Sequence, residues 1–411
     1  MLRSFLRYTR TLFIPLLALG LVLAGCDSAG SNGNDSSDVF EYPSNDYGAE
    51  TVANLLAFDL GVRVGNASNN SEGVLDELYT GTIDGKTVPP SDISARQSTY
   101  GDIESGVNLS MLTGDAALAR SQNLERGDSP TPGTPVTTDQ LLEYYFERAG
   151  SEDVTTTNNG IVLSQFAEKM LLGTPIFGKG AALLSDFANG NVSSDQAEKW
   201  DAAFGYFGFP RTLEPFLDYS GGGEGLASGP AQDLNDDGTV DLTSEYAYTW
   251  AAYAIERSAA AENNGNANDF ARRAFDALVQ GRKDIENGED PSDHAQTALN
   301  AWEEVVAVNV IHYINSMEGQ LSGLDGGKTV EQSDIDEGAW GEAKAFAWNL
   351  QYYNSELSSS NPDELNTILE NIGNDPPYGE MTVSAYATDL ENATQILADA
   401  YGFNTSNVEA W

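Results

Sequence analysis

Cysteine is almost absent. The 411-residue chain has one, Cys26, which excludes an internal disulfide framework and any cysteine-rich metal knuckle. Histidine is nearly as scarce, with only His294 and His312, so a Ser/His triad would have to use one of these two. Neither a helical metalloprotease motif nor a nucleophile elbow occurs. Basic residues number 20 against 63 acidic ones, a formal charge of −43. That field repels nucleic acid and anionic lipid and excludes both as partners. Lysine is especially rare, at seven. Abundant Asp and Glu with little Lys is the pattern of proteins working in concentrated salt, where a Debye length of about 3 Å at 1 M tames self-repulsion. Acidity of this kind marks a hydrated surface and does not by itself signal a metal site. Strand-like alternation is scarce, and no fixed-period repeat is present. Apolar residues are plentiful at 40%, with 6 Trp, 18 Tyr and 16 Phe, enough for a large core.

The one long hydrophobic run lies at the start. "MLRSFLRYTRTLFIPLLALGLVLAGC" sets Arg3, Arg7 and Arg10 before an apolar stretch from Leu12 to Leu23, which is the build of a secretory signal. Its end, Leu23-Ala24-Gly25-Cys26, resembles the lipobox of bacterial lipoproteins, in which the Cys is lipidated after cleavage. The sequence therefore predicts a signal peptide over 1–26 and a lipid on Cys26. The chain would be anchored to the membrane of the cell envelope, on the outer membrane, in the periplasm or at the surface. "DSAGSNGNDSSD" follows, with no residue that could nucleate a core, and reads as a flexible tether over 27–41. The folded body then begins near Val39 or Tyr42, and 42–411 is assigned to it.

Apolar residues recur at three- and four-residue spacing through most of that body. "SSDQAEKWDAAFGYFG" (193–208), "SEYAYTWAAYAIERSA" (244–259), "ANDFARRAFDALVQGRKDI" (267–285), a run over 293–321 and "GAWGEAKAFAWNLQYYNSEL" (338–357) all carry it. The segment from about 80 to 135, rich in Thr, Ser, Pro and Gly, reads as a long irregular excursion. The expected class is all-α, one helical bundle or two packed bundles, with long loops.

"WDAAFGYF", "WEEVVAVNV" and "WGEAKAFA" each open on a Trp followed closely by an acid. Two readings follow. Trp200, Trp302 and Trp340 fill the core of packed helices, or Asp201, Glu303 and Glu342 ring a common ligand pocket with them. His312 lies on a very apolar helix with Asn309 before it and Ser316 after it, which is either a satisfied polar patch or a ligand contact.

"DLNDDGTVDLTSEY" begins like a calcium loop. Asp233, Asn235, Asp237, the Thr239 carbonyl and Asp241 fall at places one, three, five, seven and nine, with Gly238 at the sixth. Ser244 at the twelfth place cannot chelate and Glu245 comes one residue late, so Glu245 must arrive through an altered loop exit. The alternative is a solvated turn capping a helix that starts near Ser244. A single loop implies a structural Ca2+ rather than a sensor. "GTPIFGKG" (173–180) nearly matches a phosphate loop, but Gly180 replaces the Ser/Thr and a helix precedes it, so a tight turn between helices is expected. "GGGEGLASG" (221–229) lacks the spacing of a dinucleotide site.

Together, "FGKGAALLSDF", "KWDAAFGYFG", the acidic loop and "GAWGEAKAFAWNLQY" resemble an exported lipoprotein family of marine and salt-loving bacteria, catalogued as a domain of unknown function. That family is in turn similar to the imelysin-like, peptidase-like helical-bundle lipoproteins tied to iron acquisition. The resemblance implies an exported helical protein, weight on the acidic loop, and iron or another transition metal as cargo handed between envelope transport partners. The Gly-x-His-x-x-Glu motif of the imelysin-like group is absent, since neither histidine has Glu three residues on. The leading expectation is a non-enzymatic envelope lipoprotein binding a small ligand or metal. A glycan-binding outer-membrane lipoprotein and a carboxylate glycoside hydrolase are the alternatives.

Overall fold

In the computed structural model, the described residues are 39–42, 46–66, 72–89, 93–124, 129–131, 133–151, 154–217, 231–263, 265, 268–336, 338–361 and 363–411. The stretch expected to be a signal peptide with Cys26, the expected tether up to residue 38 and the run "GGGEGLASG" at 221–229 lie outside them. Among the described residues there are helices and isolated bridges but no strand, so the fold is all-α.

The helices are α1 (Gly48–Gly65), α2 (Glu72–Thr80), α3 (Leu109–Thr113), α4 (Thr138–Ser151), α5 (Leu163–Leu171), α6 (Lys179–Ala188), α7 (Gln196–Phe207) and α8 (Thr249–Asn263). They continue with α9 (Phe270–Asn287), α10 (Ser292–Leu321), α11 (Ala339–Asn349), α12 (Ser355–Ser360), α13 (Glu364–Ile372), α14 (Val383–Tyr401) and α15 (Thr405–Val408). The described residues from Val39 to Trp411 fall in one contact unit.

α10 organises it. Its 30 residues span about 45 Å, and α6, α8, α9, α11 and α14 all pack on it. Residues from Ala301 to Ile311 are buried without a break, which a helix surrounded on every side requires. α1 is buried almost as fully, between α5 and α7. Among the described residues no helix is long and apolar enough to cross a membrane.

Three expectations are corrected. The body starts before residue 42: Val39 bridges Thr212, and the buried ring of Phe40 stacks on Phe204 at 3.7 Å. "GTPIFGKG" is not a turn. Gly173–Gly178 is a π-helical segment joining α5 to α6, where Pro175 removes a donor and Phe177 N reaches five residues back to Leu172 O at 3.1 Å. The helix expected from Ser244 begins only at Thr249, because Ala231 pairs with Tyr246 and Glu245 is drawn back towards the loop. The 80–135 excursion is irregular apart from short helical turns such as α3. It docks back on the body through an Ala95–Val240 bridge and through the Trp348 indole, which donates to Ala119 O at 2.8 Å.

Candidate functional site

The three tryptophans are core residues. Trp200 on α7, Trp302 on α10 and Trp340 on α11 are all at most 2% exposed, and among the described residues no two of them are in ring contact. The Trp200 indole donates to Leu278 O at 2.8 Å and lies on the bare face of Gly281. Trp340 donates to Ile372 O at 3.0 Å and stacks with Phe166. Trp302 packs on Phe207, Phe177 and Gly180, and its buried Nε1 has no hydrogen-bond partner.

The neighbouring acids disperse as well, each taken by a local partner. Asp201 forms a fully buried ion pair with Arg282 at 2.8 Å. Burial pushes its carboxyl up to about 6, against the pull of Arg282. Glu303 accepts the backbone N–H groups of Ser355 and Glu356 and the Tyr401 hydroxyl, so it caps α12. Asp201 and Glu303 therefore belong to the scaffold.

Glu342 and His312 instead border a polar seam running between α5, α8, α10 and α11. Lys169, almost fully buried, donates to Glu168 at 2.9 Å and pairs with Glu342 at 3.4 Å. Burial alone would depress the Lys169 ammonium, yet Glu168 and the other neighbouring oxygens lift it well above its usual value. Burial raises the Glu342 carboxyl despite Lys169 and a hydrogen bond from Tyr313. Further along, Arg257 Nε and Nη2 both donate to the Asn309 amide oxygen, at 3.1 and 3.0 Å, and Arg257 lies over the Tyr253 ring. His312 Nδ1 donates to the main-chain oxygen of Trp411 at 2.7 Å, which leaves Nε2 as a lone-pair acceptor. Burial and then Arg257 push His312 down to about 4, so it is neutral at ordinary pH.

Of the seam, the sequence singles out His312, its neighbour Asn309 and Glu342. The signal for Lys169 and Arg257 is a basic residue within an apolar helical run, conspicuous in a chain so poor in them.

The acidic loop is folded in the pattern its spacing implies. Gly238 N donates to Asp233 Oδ2, Asp237 N to Asn235 Oδ1 and Thr239 N to Asp237 Oδ1, at 2.8, 2.9 and 2.9 Å. Gly238 adopts φ +85°, a conformation that suits glycine at the sharp turn. Bonds from Thr239 and then Arg96 draw Asp237 down to about 2. The donors suit calcium, being hard carboxylate, amide and carbonyl oxygens. A protein cation already occupies part of that space: Arg96 bridges Asp237 at 2.6 Å and Asp241 at 2.7 Å. Glu245 accepts Asp241 N at 2.8 Å, which commits one of its oxygens to the loop backbone. Among the described residues no group of three or more His, Cys, Asp or Glu is disposed to hold a metal.

A separate hollow of about 430 Å³ lies between α2 and α4, lined by Asp76, Glu143, Glu147, Tyr79 and Tyr144 among others; it contains none of the residues singled out above. Comparison with protein-family models, with curated proteins and with solved structures finds no match.

Proposed function

We propose that this chain is an exported, lipid-anchored binding protein of the cell envelope, without catalytic activity, that takes a small polar ligand in the seam between α5, α8, α10 and α11. The observation that carries the reading is the buried Glu168–Lys169–Glu342 triad, continuing into half-buried Tyr253, His312 and Tyr313. Ion pairs in a helical core are costly against apolar packing, whereas a water-excluding polar lining is what orients a small ligand. His312 is met by Arg257 and by the main-chain oxygen of Trp411, and among the described residues no group of three His, Cys, Asp or Glu is gathered around it, so an organic ligand fits this lining better than iron does. Glu168 and Glu342 both lie on the Lys169 ammonium rather than facing each other across an open cleft, the arrangement that glycoside hydrolysis needs. In the same reading, the acidic loop holds one structural Ca2+ through Asp233, Asn235, Asp237 and the Thr239 carbonyl.

The test is a thermal-shift screen of the chain from Asp27, in high salt, against sugars, organic acids, amino acids and transition-metal ions. A saturable rise in Tm that Tyr313→Phe weakens supports the seam. Shifts that survive both Tyr313→Phe and His312→Gln, or no shift with any class, overturn it.

A further inference from the structure

The hollow between α2 and α4 has an aromatic base and an acidic rim. It measures about 430 Å³, within the range of small-molecule sites. Tyr79 and Phe146 form the base; they are 1% and 3% exposed and meet edge to face, with ring centroids 5.3 Å apart. Tyr144 adds a half-buried ring. The rim carries Asp76 on α2 and Glu143 and Glu147 on α4, all three exposed. Glu143 and Glu147 are four residues apart, so they share a face of α4 with Cβ atoms about 5–6 Å apart. Asp139, one turn earlier, continues that face, and its Oδ1 accepts the Tyr79 hydroxyl at 2.8 Å. Like charges at this spacing oppose one another. Burial, and then Asp139 and Asp76, raise the Glu143 carboxyl.

Among the described residues no Lys or Arg pairs with Asp76, Glu143 or Glu147. Lys86 goes instead to Glu77 at 2.7 Å, which is next to Asp76 in the chain but outside the lining. Arg148, next to Glu147, lies 5.7 Å from the Tyr144 ring centroid and donates from Nη1 to the Tyr144 hydroxyl at 3.1 Å. That contact puts a cation on the ring and none on the three acids. Exposed acids elsewhere on so acidic a surface call for no partner. These differ in converging on one concavity with an aromatic base. Among the described residues no three of His, Cys, Asp or Glu are disposed to hold a metal, so a single ion does not serve the whole rim. A cation with its charges spread along a carbon chain does.

We propose that this hollow binds an aliphatic di- or polyamine, with ammonium groups on Glu143, Glu147 and Asp76 and methylenes on the rings below them. The site is separate from the seam, and the inference stands whether or not the seam takes a ligand. Each ammonium donates to a carboxylate, and the methylenes cover apolar surface that water otherwise wets. The ligand also relieves the repulsion along α4. A net charge of −43 attracts polycations in general, so control charges elsewhere on the chain are part of the test.

Putrescine and spermidine are titrated by calorimetry into the chain from Asp27, at constant ionic strength in potassium chloride. Butylamine, butanediol and magnesium chloride are the comparisons. One saturable site per chain is expected for an amine with two or more charges, with weaker binding of butylamine and none of butanediol or magnesium. Glu143→Gln combined with Glu147→Gln should weaken it roughly tenfold. Glu289→Gln combined with Asp293→Asn removes the same charge at exposed positions away from the hollow and should leave the affinity unchanged. Circular dichroism checks the folding of each variant, and Asp76→Asn takes the place of the first pair if that pair does not fold. Unaltered amine binding in the rim variants, an equal loss in the control pair, magnesium binding at the same affinity, or no saturable amine binding would each overturn the proposal.

Discussion

Lys344 on α11 donates from Nζ to the carbonyl oxygen of Leu369 at 2.8 Å, near the end of α13, while its ammonium lies 5.3 Å from the Trp348 ring centroid. It is 1% exposed. Burial, and then Arg120, push its pKa down to about 7. The folded state therefore releases this proton near neutrality, while the unfolded chain holds it to about 10.4. Between those values the unfolded state binds more protons, so the Lys344 contribution to stability rises with pH, by up to about 1.4 kcal/mol per pH unit. Below pH 7 that gain is absent and the fold carries a buried charge. Urea melts of the unaltered chain and of Lys344→Met at pH 6, 8 and 9.5 should show the difference between them moving in favour of lysine as pH climbs. A difference flat with pH would refute the assignment.

Arg96 holds the Asp237 and Asp241 carboxylates that the proposed calcium loop would offer to an ion, so the two should compete. Calcium should raise Tm, EDTA should lower it, and Arg96→Gln should be less stable without calcium yet gain more from it than the unaltered chain. Asp237→Asn should abolish the gain. Equal responses with and without Arg96 would show that the guanidinium and the ion do not share those oxygens.

Two glycines exist to admit tryptophan. A Cβ at Gly180 would lie 2.5 Å from the Trp302 ring, and one at Gly281 would lie 2.1 Å from Trp200. Neither indole can retreat, since both are fully buried. Gly180→Ala and Gly281→Ala should each cost about 1–3 kcal/mol by overpacking, against the usual gain of alanine over glycine inside a helix. Chemical denaturation measures the sign directly.

The lipid proposed on Cys26 is tested by cell fractionation. Cys26→Ser should move the protein from the membrane pellet to the soluble fraction, and mass spectrometry of the unaltered chain should show acylation at that residue. An unmodified Cys26 would remove the anchor from the proposal.

Helices were legible because their apolar spacing is long and regular, as in α9 and α10, whose limits fall within three residues of those read from sequence. The acidic loop was legible in spacing and internal turn, since both follow from local Asx chemistry. Its Arg96 partner, 141 residues before Asp237 in the chain, was not, because no local pattern encodes such a pairing. The three Trp-acid pairs misled for a related reason. One motif stands on three helices, and each acid finds a different neighbour: Arg282, the start of α12, or Lys169. His312 and Asn309 stand three residues apart on α10, as their spacing implies, but Arg257, which brings charge to them, comes from α8.

The π-helical segment between α5 and α6 has a consequence for chain length. Each residue of a helix turns the chain by about 100°, so the slack taken up between Leu172 and Lys179 sets the phase of everything after it. Gly173 opens towards Asn349 on α11, and Gly180 towards Trp302 on α10. Removing one residue from this stretch would swing the second bare face away from the indole that needs it, with every side chain kept. The count of residues here carries meaning independently of their identities, like the pitch of a thread cut to fit two different nuts.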